Sequence, residues 1–185
     1  MSSRSGQGKD ENGVLLHYDA ASNSLPGVDA LHRRVHKGQL YTHTSTNLFV
    51  PALASFNLFI FPGTANAHVR VRVSCSNLGA RRLIIYEDNK FSGEEPLDQT
   101  HHNYNRSVIV ADPSAAAPQF TTTVTASGAG VIIYQENIPP LSDMRTQEFI
   151  LKAATDGGFP YRIEAVNLDT VNAVVMTIHV DYYWE

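Results

Sequence analysis

Three imidazoles and three cations crowd into the stretch LHRRVHKGQLYTH, residues 31–43: His32, His36 and His43 with Arg33, Arg34 and Lys37. On a helix, His32 and His36 would share one face at the i, i+4 spacing of a zinc pair, and a glutamate beside them would complete a metal hydrolase. The surroundings argue against that chemistry. Gly38 follows at once, β-branched Val35 lies between the two rings, and no acidic residue occurs between Asp29 and Glu87. A helix is poorly supported, and the third ligand that zinc needs has no nearby source.

Other constellations fare no better. His101 and His102 are adjacent, and neighbours on an extended chain point to opposite sides, so the pair does not chelate one ion unaided. Metal enzymes on a double-stranded β fold would show two histidines one residue apart, and no H-x-H occurs. A G-x-S-x-G nucleophile elbow is missing too. Cys75 ends the alternating run HVRVRVSCSN on the face of Val69, Val71 and Val73, which predicts a buried, inert thiol. ASGAG at 126–130 has no lysine to help hold a phosphate and reads as a hairpin turn between strands. The adjacent acids of GEEP do not define a glycosidase pair. The expectation is a protein that is not an enzyme and needs neither metal nor cofactor.

The elements that must position any functional surface are strands. From Gln39 onward short runs rich in β-branched and aromatic residues alternate with turn chemistry, and helical spacing is nearly absent. The predicted strands are QLYTHTS, SFNLFIF, HVRVRVSCS, RRLIIYED, SVIVAD, QFTTTVTA, GVIIYQEN, QEFILKA, YRIEAVNL and NAVVMTIHVDYYW. In the last, Val174, Met176, Ile178, Val180, Tyr182 and Trp184 fall on one face, so the C-terminus should be locked into a sheet. The long polar stretch DNKFSGEEPLDQTHHNYNR, residues 88–106, reads as a loop of the kind used for contacts. Residues 1–30 read as a flexible N-terminal arm and residues 31–185 as one β-sandwich domain.

Bulk composition narrows the function classes. With 185 residues and 43% hydrophobic content the chain can bury a sizeable core. One cysteine permits no internal disulfide, which fits synthesis in a reducing cytoplasm. The polar start is neither signal peptide nor anchor, and no run approaches the roughly 20 apolar residues of a spanning helix. A net charge of −4 with 17% charged residues does not suggest nucleic acid as a partner, and no membrane partner is expected.

The charge is unevenly placed. Residues 30–86 carry seven basic side chains, Arg33, Arg34, Lys37, Arg70, Arg72, Arg81 and Arg82, and no acidic one, whereas residues 87–185 carry five basic and fourteen acidic ones. Either the two halves interleave in the fold and cancel, or a positive face meets an acidic protein surface. Arg70 and Arg72 alternate away from the valine face, which suits exposure.

Taken in order, ALHRRVHKGQLYTH, LIIYEDNKFSG, NYNRS, ILKAATDGGFPYRI and DYYWE resemble a family of tailed-bacteriophage capsid decoration, or cement, proteins, with the likeness running from about Leu31 to Glu185. The chain departs from the commonest form in its longer arm and in the insert DPSAAAP. The resemblance implies an all-β, jelly-roll-like antiparallel sandwich that binds the major capsid protein from the outside of the virion as a dimer or trimer. On this reading the histidines are structural or contact residues. Arg33, Arg34, Lys37, Arg70 and Arg72 are the candidate capsid contacts, and Phe91, His101, His102, Tyr104 and Arg106 the candidate loop contacts. The alternative is a head-fibre or tail-associated carbohydrate-binding module using exposed aromatics such as Phe91, Tyr104 and Tyr183.

Overall fold

The computed structural model describes residues 7–9, 15–17, 39–75, 79–87, 91–92, 102–103, 117–139, 144–146, 148–154 and 159–184. Every regular element among them is a strand: β1 (Gln7–Lys9), β2 (Leu15–His17), β3 (Tyr41–Val50), β4 (Ser55–Phe61), β5 (Ala67–Cys75), β6 (Arg81–Glu87), β7 (Phe91–Ser92), β8 (His102–Asn103), β9 (Gln119–Thr121), β10 (Thr125–Ala126), β11 (Val131–Ile138), β12 (Met144–Arg145), β13 (Phe149–Leu151), β14 (Tyr161–Asn167) and β15 (Val174–Trp184). All pairings are antiparallel.

Two sheets enclose the core. One runs β11-β6-β14-β4-β9 and the other β12-β5-β15-β3-β8, with β13 also on the β5 edge. Leaving aside the short additions β8 and β9, successive strands β3, β4, β5, β6, β11, β12/β13, β14 and β15 distribute in the order first, eighth, third, sixth in one sheet and second, seventh, fourth, fifth in the other. That is the strand order of a jelly roll, two Greek keys wound into a sandwich. The fold class expected from the sequence is therefore the fold observed.

Period-two patterning places the core. The two central strands each sit between partners, with Ile163 of β14 flanked by Leu58 and Ile85, and Val180 of β15 flanked by His43 and Val71. Inward side chains of both sheets merge into one cluster, including Leu58, Ile85, Ile163, Val71, Met176 and Tyr182. Stacked rings seal one end: Tyr41 lies against Trp184 with centroids 4.7 Å apart, and His43 lies flat on Phe120 at 4.2 Å. His43, the third histidine of the opening stretch, is thus a buried packing residue whose Nε2 also meets Ser45 Oγ at 2.8 Å.

Several expectations need correction. QFTTTVTA is not one strand: it breaks at residues 122–124, and its halves join different sheets as β9 and β10. ASGAG is not a hairpin turn, because β10 pairs with β7 while β11 pairs with β6, so the segment crosses between sheets. Local turn chemistry could not distinguish a reversal from a crossover. The stretch 88–106 contributes β7 and β8, and the arm contributes the β1–β2 ladder, Gln7 opposite His17. Cys75 is half-buried rather than buried, since it closes β5 where the core thins. The expected strand SVIVAD lies outside the described residues.

Candidate interaction surfaces

Strand alternation turns His68, Arg70, Arg72 and Ser74 to the outside of the β5 sheet, because Val69, Val71 and Val73 take the core. The register sets them beside β15: His68 by Tyr183, Arg70 by Asp181, Arg72 by His179 and Ser74 by Thr177. On the far side β3 adds Thr42, Thr44 and Thr46 opposite Asp181, His179 and Thr177. The result is an outer face of polar and cationic rows on a rigid ladder.

Glu148, just before β13, gathers one corner of that face. Its Oε1 accepts from His68 Nδ1 and from Tyr183 OH, each at 2.8 Å, and its Oε2 lies 3.3 Å from Arg70 Nη2. The His68 ring stacks on Tyr183 with centroids 4.5 Å apart. Partial burial would raise the Glu148 carboxyl, but the hydrogen bonds from Tyr183 and His68 and the Arg70 charge outweigh it, holding it below its ordinary value. Here the basic and acidic halves of the chain do interleave. Arg70, a candidate capsid contact, is partly exposed and already shares its charge with Glu148.

Arg72 differs. It is half-buried and has no ion-pair partner among the described residues, and the register sets it between His179 and Arg145. His179 is held from both sides, its Nδ1 3.1 Å from Thr44 Oγ1 and its Nε2 3.4 Å from Ser74 Oγ.

A second surface lies at the end of the sandwich. Between Val50 and Asn47 of β3 stand two residues, Leu48 and Phe49, where β15 has only Val175 between Val174 and Met176. This β-bulge throws both side chains into solvent, Leu48 77% and Phe49 68% exposed. The two turns beyond it carry Leu53 at 65% and Val171 at 79% exposure. They are cross-tied: Leu53 N donates to Asp169 O at 3.1 Å, and buried Asn167 donates through Nδ2 to the carbonyls of Val50, Pro51 and Asn172 at 3.2, 3.0 and 2.9 Å. Asn167 Oδ1 in turn accepts from Asp169 N at 3.0 Å. Leu53 holds φ at 59°, a left-handed conformation that costs a leucine about 1–2 kcal/mol. Backbone hydrogen bonds from Asn172 and Val171 hold the Asp169 carboxyl below its ordinary value.

No protein-family model matches the chain, and no curated protein does. Among solved structures it is similar to the Yersinia pseudotuberculosis-derived mitogen, at 9% identity over 79% of this chain and 86% of that one, with a TM-score of 0.35. It is similar also to the chain of infectious bursal virus derived T=1 particles (10% identity, TM-score 0.18) and to the infectious bursal disease virus VP2 subviral particle (9% identity, TM-score 0.17). This chain covers 78% and 79% of its own length in those two matches, and about two-fifths of theirs, 40% and 41%.

The remaining sequence-predicted contacts scatter. Phe91 is marginally exposed and packs edge-on against Phe61, centroids 4.7 Å apart, so it serves the β7–β10 flap as well as solvent. Tyr183 is only 7% exposed and bonded to Glu148, so it cannot be the open glycan platform expected of it. His102 lies in β8. His32, Arg33, Arg34, His36, Lys37, His101, Tyr104 and Arg106 lie outside the described residues. The apolar end was missed because its cause is a register shift, which one strand's sequence does not encode.

Proposed function

We propose that this jelly roll is a tailed-phage capsid decoration protein, docking on the outer surface of the shell, binding the major capsid protein and acting as a dimer or trimer. The observation that carries the reading is the apolar end of the sandwich. A bulge and two cross-tied turns hold Leu48, Phe49, Leu53 and Val171 out in water on a framework that cannot close over them. Burying one such side chain is worth roughly 1.5–3 kcal/mol, and clustered exposed apolar surface marks contact with another protein.

The charge of the neighbouring face complements it. Arg72, without an ion-pair partner among the described residues, stands one row beyond the Thr46–Thr177 row that borders the apolar end, so docking through that end brings its charge toward the partner. Charge of this kind sets orientation and salt sensitivity more than raw affinity. Each contact is weak alone, but a shell repeats it many times, and an oligomer that bridges subunits multiplies it further. Arg33, Arg34 and Lys37, with the arm before them and the stretch 88–106, are the second contact set on this reading.

Quantitative mass spectrometry of purified virions tests the proposal. The protein should be present at a copy number that scales with the shell, and antibody labelling should fall on the head. Absence from virions contradicts the reading.

A further inference from the structure

The opposite sheet carries a polar cleft whose rim meets the apolar end of the sandwich at Leu48. Its floor is the outer face of β4 and β14, where Asn57 stands opposite Glu164 in the register and Arg162 stands opposite Phe59. The residues between β9 and β10 form one wall, and the start of β4 and the bulged end of β3 form the rim. The cleft has a volume of about 550 Å³, inside the range of about 300–1,000 Å³ common for small-molecule sites.

Its lining is built rather than incidental. Arg162 lies over the Tyr86 ring, 4.0 Å from the centroid, and its Nη2 is 3.7 Å from Glu164 Oε2. Tyr86 OH donates to the same Glu164 oxygen at 2.7 Å. The carboxylate and guanidinium are therefore fixed in place by a third group. Asn57 Nδ2 donates to Ser55 Oγ at 3.4 Å, while Asn57 Oδ1 and Arg162 Nε are buried and have no hydrogen-bond partner among the described residues. Leaving a polar atom buried and unpaired costs about 1–3 kcal/mol, and a native structure that does so twice in one cleft has a donor and an acceptor in reserve.

The chemistry of the lining selects a ligand class. One cation and one anion cancel, so a strongly anionic ligand gains little. Hydroxyls of Ser55, Thr122 and Thr125 and the amides of Asn47 and Asn57 each donate and accept, which matches groups that do the same. Neighbouring hydroxyls of a sugar ring have that property, and fixed amide, carboxylate and guanidinium groups bond them in pairs. We infer that this cleft, centred on Asn57, Arg162 and Glu164, binds a neutral saccharide through its ring hydroxyls.

Saturation-transfer NMR tests this, with methyl glycosides of glucose, mannose, galactose and N-acetylglucosamine and the corresponding trisaccharides each at about 10 mM, a concentration that detects millimolar affinity. At least one should bind. Response to a methyl glycoside identifies a single-ring site, and response to a trisaccharide alone identifies a segment of polysaccharide. Asn57→Leu and Glu164→Gln should each lower affinity at least about tenfold, a loss of ~1.4 kcal/mol. Arg72→Ala on the other sheet should leave it unchanged. If either floor variant fails to fold, as judged by thermal unfolding, the exposed wall substitutions Thr122→Val and Thr125→Val take its place and should weaken binding in the same direction. No response from any sugar, response unaltered by the cleft substitutions, or displacement by inorganic phosphate overturns the inference.

Discussion

Leu53 N donates to Asp169 O at 3.1 Å, joining the turn after β3 to the turn before β15. The contact is small, and Asn167 reinforces the tie between the two turns with four side-chain hydrogen bonds. The apolar end is therefore a fixed shape, which lowers the entropy lost when a partner covers it.

Asn167 should be the keystone of that end. Asn167→Ala removes a donor from the carbonyls of Val50, Pro51 and Asn172, of which Pro51 O keeps the bond from Ala54 N, and unsatisfied buried groups cost about 1–3 kcal/mol each before relaxation. Urea unfolding is expected to show a loss of about 2–3 kcal/mol. Loss below about 0.5 kcal/mol would mean the turns are held some other way.

Leu53→Gly separates folding from docking. Glycine adopts the left-handed conformation without strain, and the leucine side chain is largely in water, so stability should change by less than about 1 kcal/mol. Capsid affinity should nevertheless fall, because the apolar contact is gone. A variant that binds as well as wild type would remove Leu53 from the interface.

The sequence announced the frame of this molecule more clearly than its surfaces. Alternation in β5, β14 and β15 is nearly perfect, because both sheets bury one face, and the predicted inward residues of β15 are those the core takes. Pairing partners were not legible. That β10 meets β7 and not β11, or that Glu148 meets His68 eighty positions away, depends on the winding of the whole chain. The surface residues chosen for charge were right about direction at Arg70 and Arg72 and silent about partners. Leu48 and Phe49 lie beyond the predicted strand QLYTHTS, and the bulge that exposes them exists only between two strands.

Glu148 should contribute to acid sensitivity. Its carboxyl sits below the ordinary value in the folded protein, so its share of stability is present above the unfolded-state value near 4.5 and is lost as pH falls through the lower folded value. Thermal melts from neutral pH down to acid should show a shallower decline in Glu148→Gln than in wild type. Parallel declines would show that the His68, Tyr183 and Arg70 contacts do not favour the ionised carboxylate.

Alkali acts on the other sheet. Burial first, and then the hydrogen bond to Glu87, push the Tyr161 hydroxyl up to about 12. The unfolded chain ionises this group near 10, so stability should fall as pH rises between those values. Ultraviolet titration of phenolate should show late-ionising tyrosine that Tyr161→Phe diminishes. If every tyrosine ionises near 10 while the protein is still folded, the ring is more open than its fully buried position indicates.

Removing the end of β15 should unfold the domain. Tyr182 is fully buried, stacks with Tyr41 at 5.9 Å and belongs to a central strand held on both sides. Tyr182→Ala is expected to cost about 3–5 kcal/mol, by analogy with large aromatic deletions in cores, and truncation before Tyr182 should abolish the cooperative melt. A truncated chain that still melts cooperatively would mean the ladder closes without its last residues.

Docking itself is measured by co-sedimentation with empty, undecorated capsids assembled from the shell protein of the same genome, at low and high salt. Wild type should pellet saturably. Replacing Leu48 and Phe49 with serine should weaken pelleting at both salts, while Arg72→Ala, and separately the triple change of Arg33, Arg34 and Lys37 to alanine, should weaken it mainly at low salt. Failure of folded wild-type protein to pellet at either salt, or pelleting untouched by the Leu48 and Phe49 substitutions, would contradict the account.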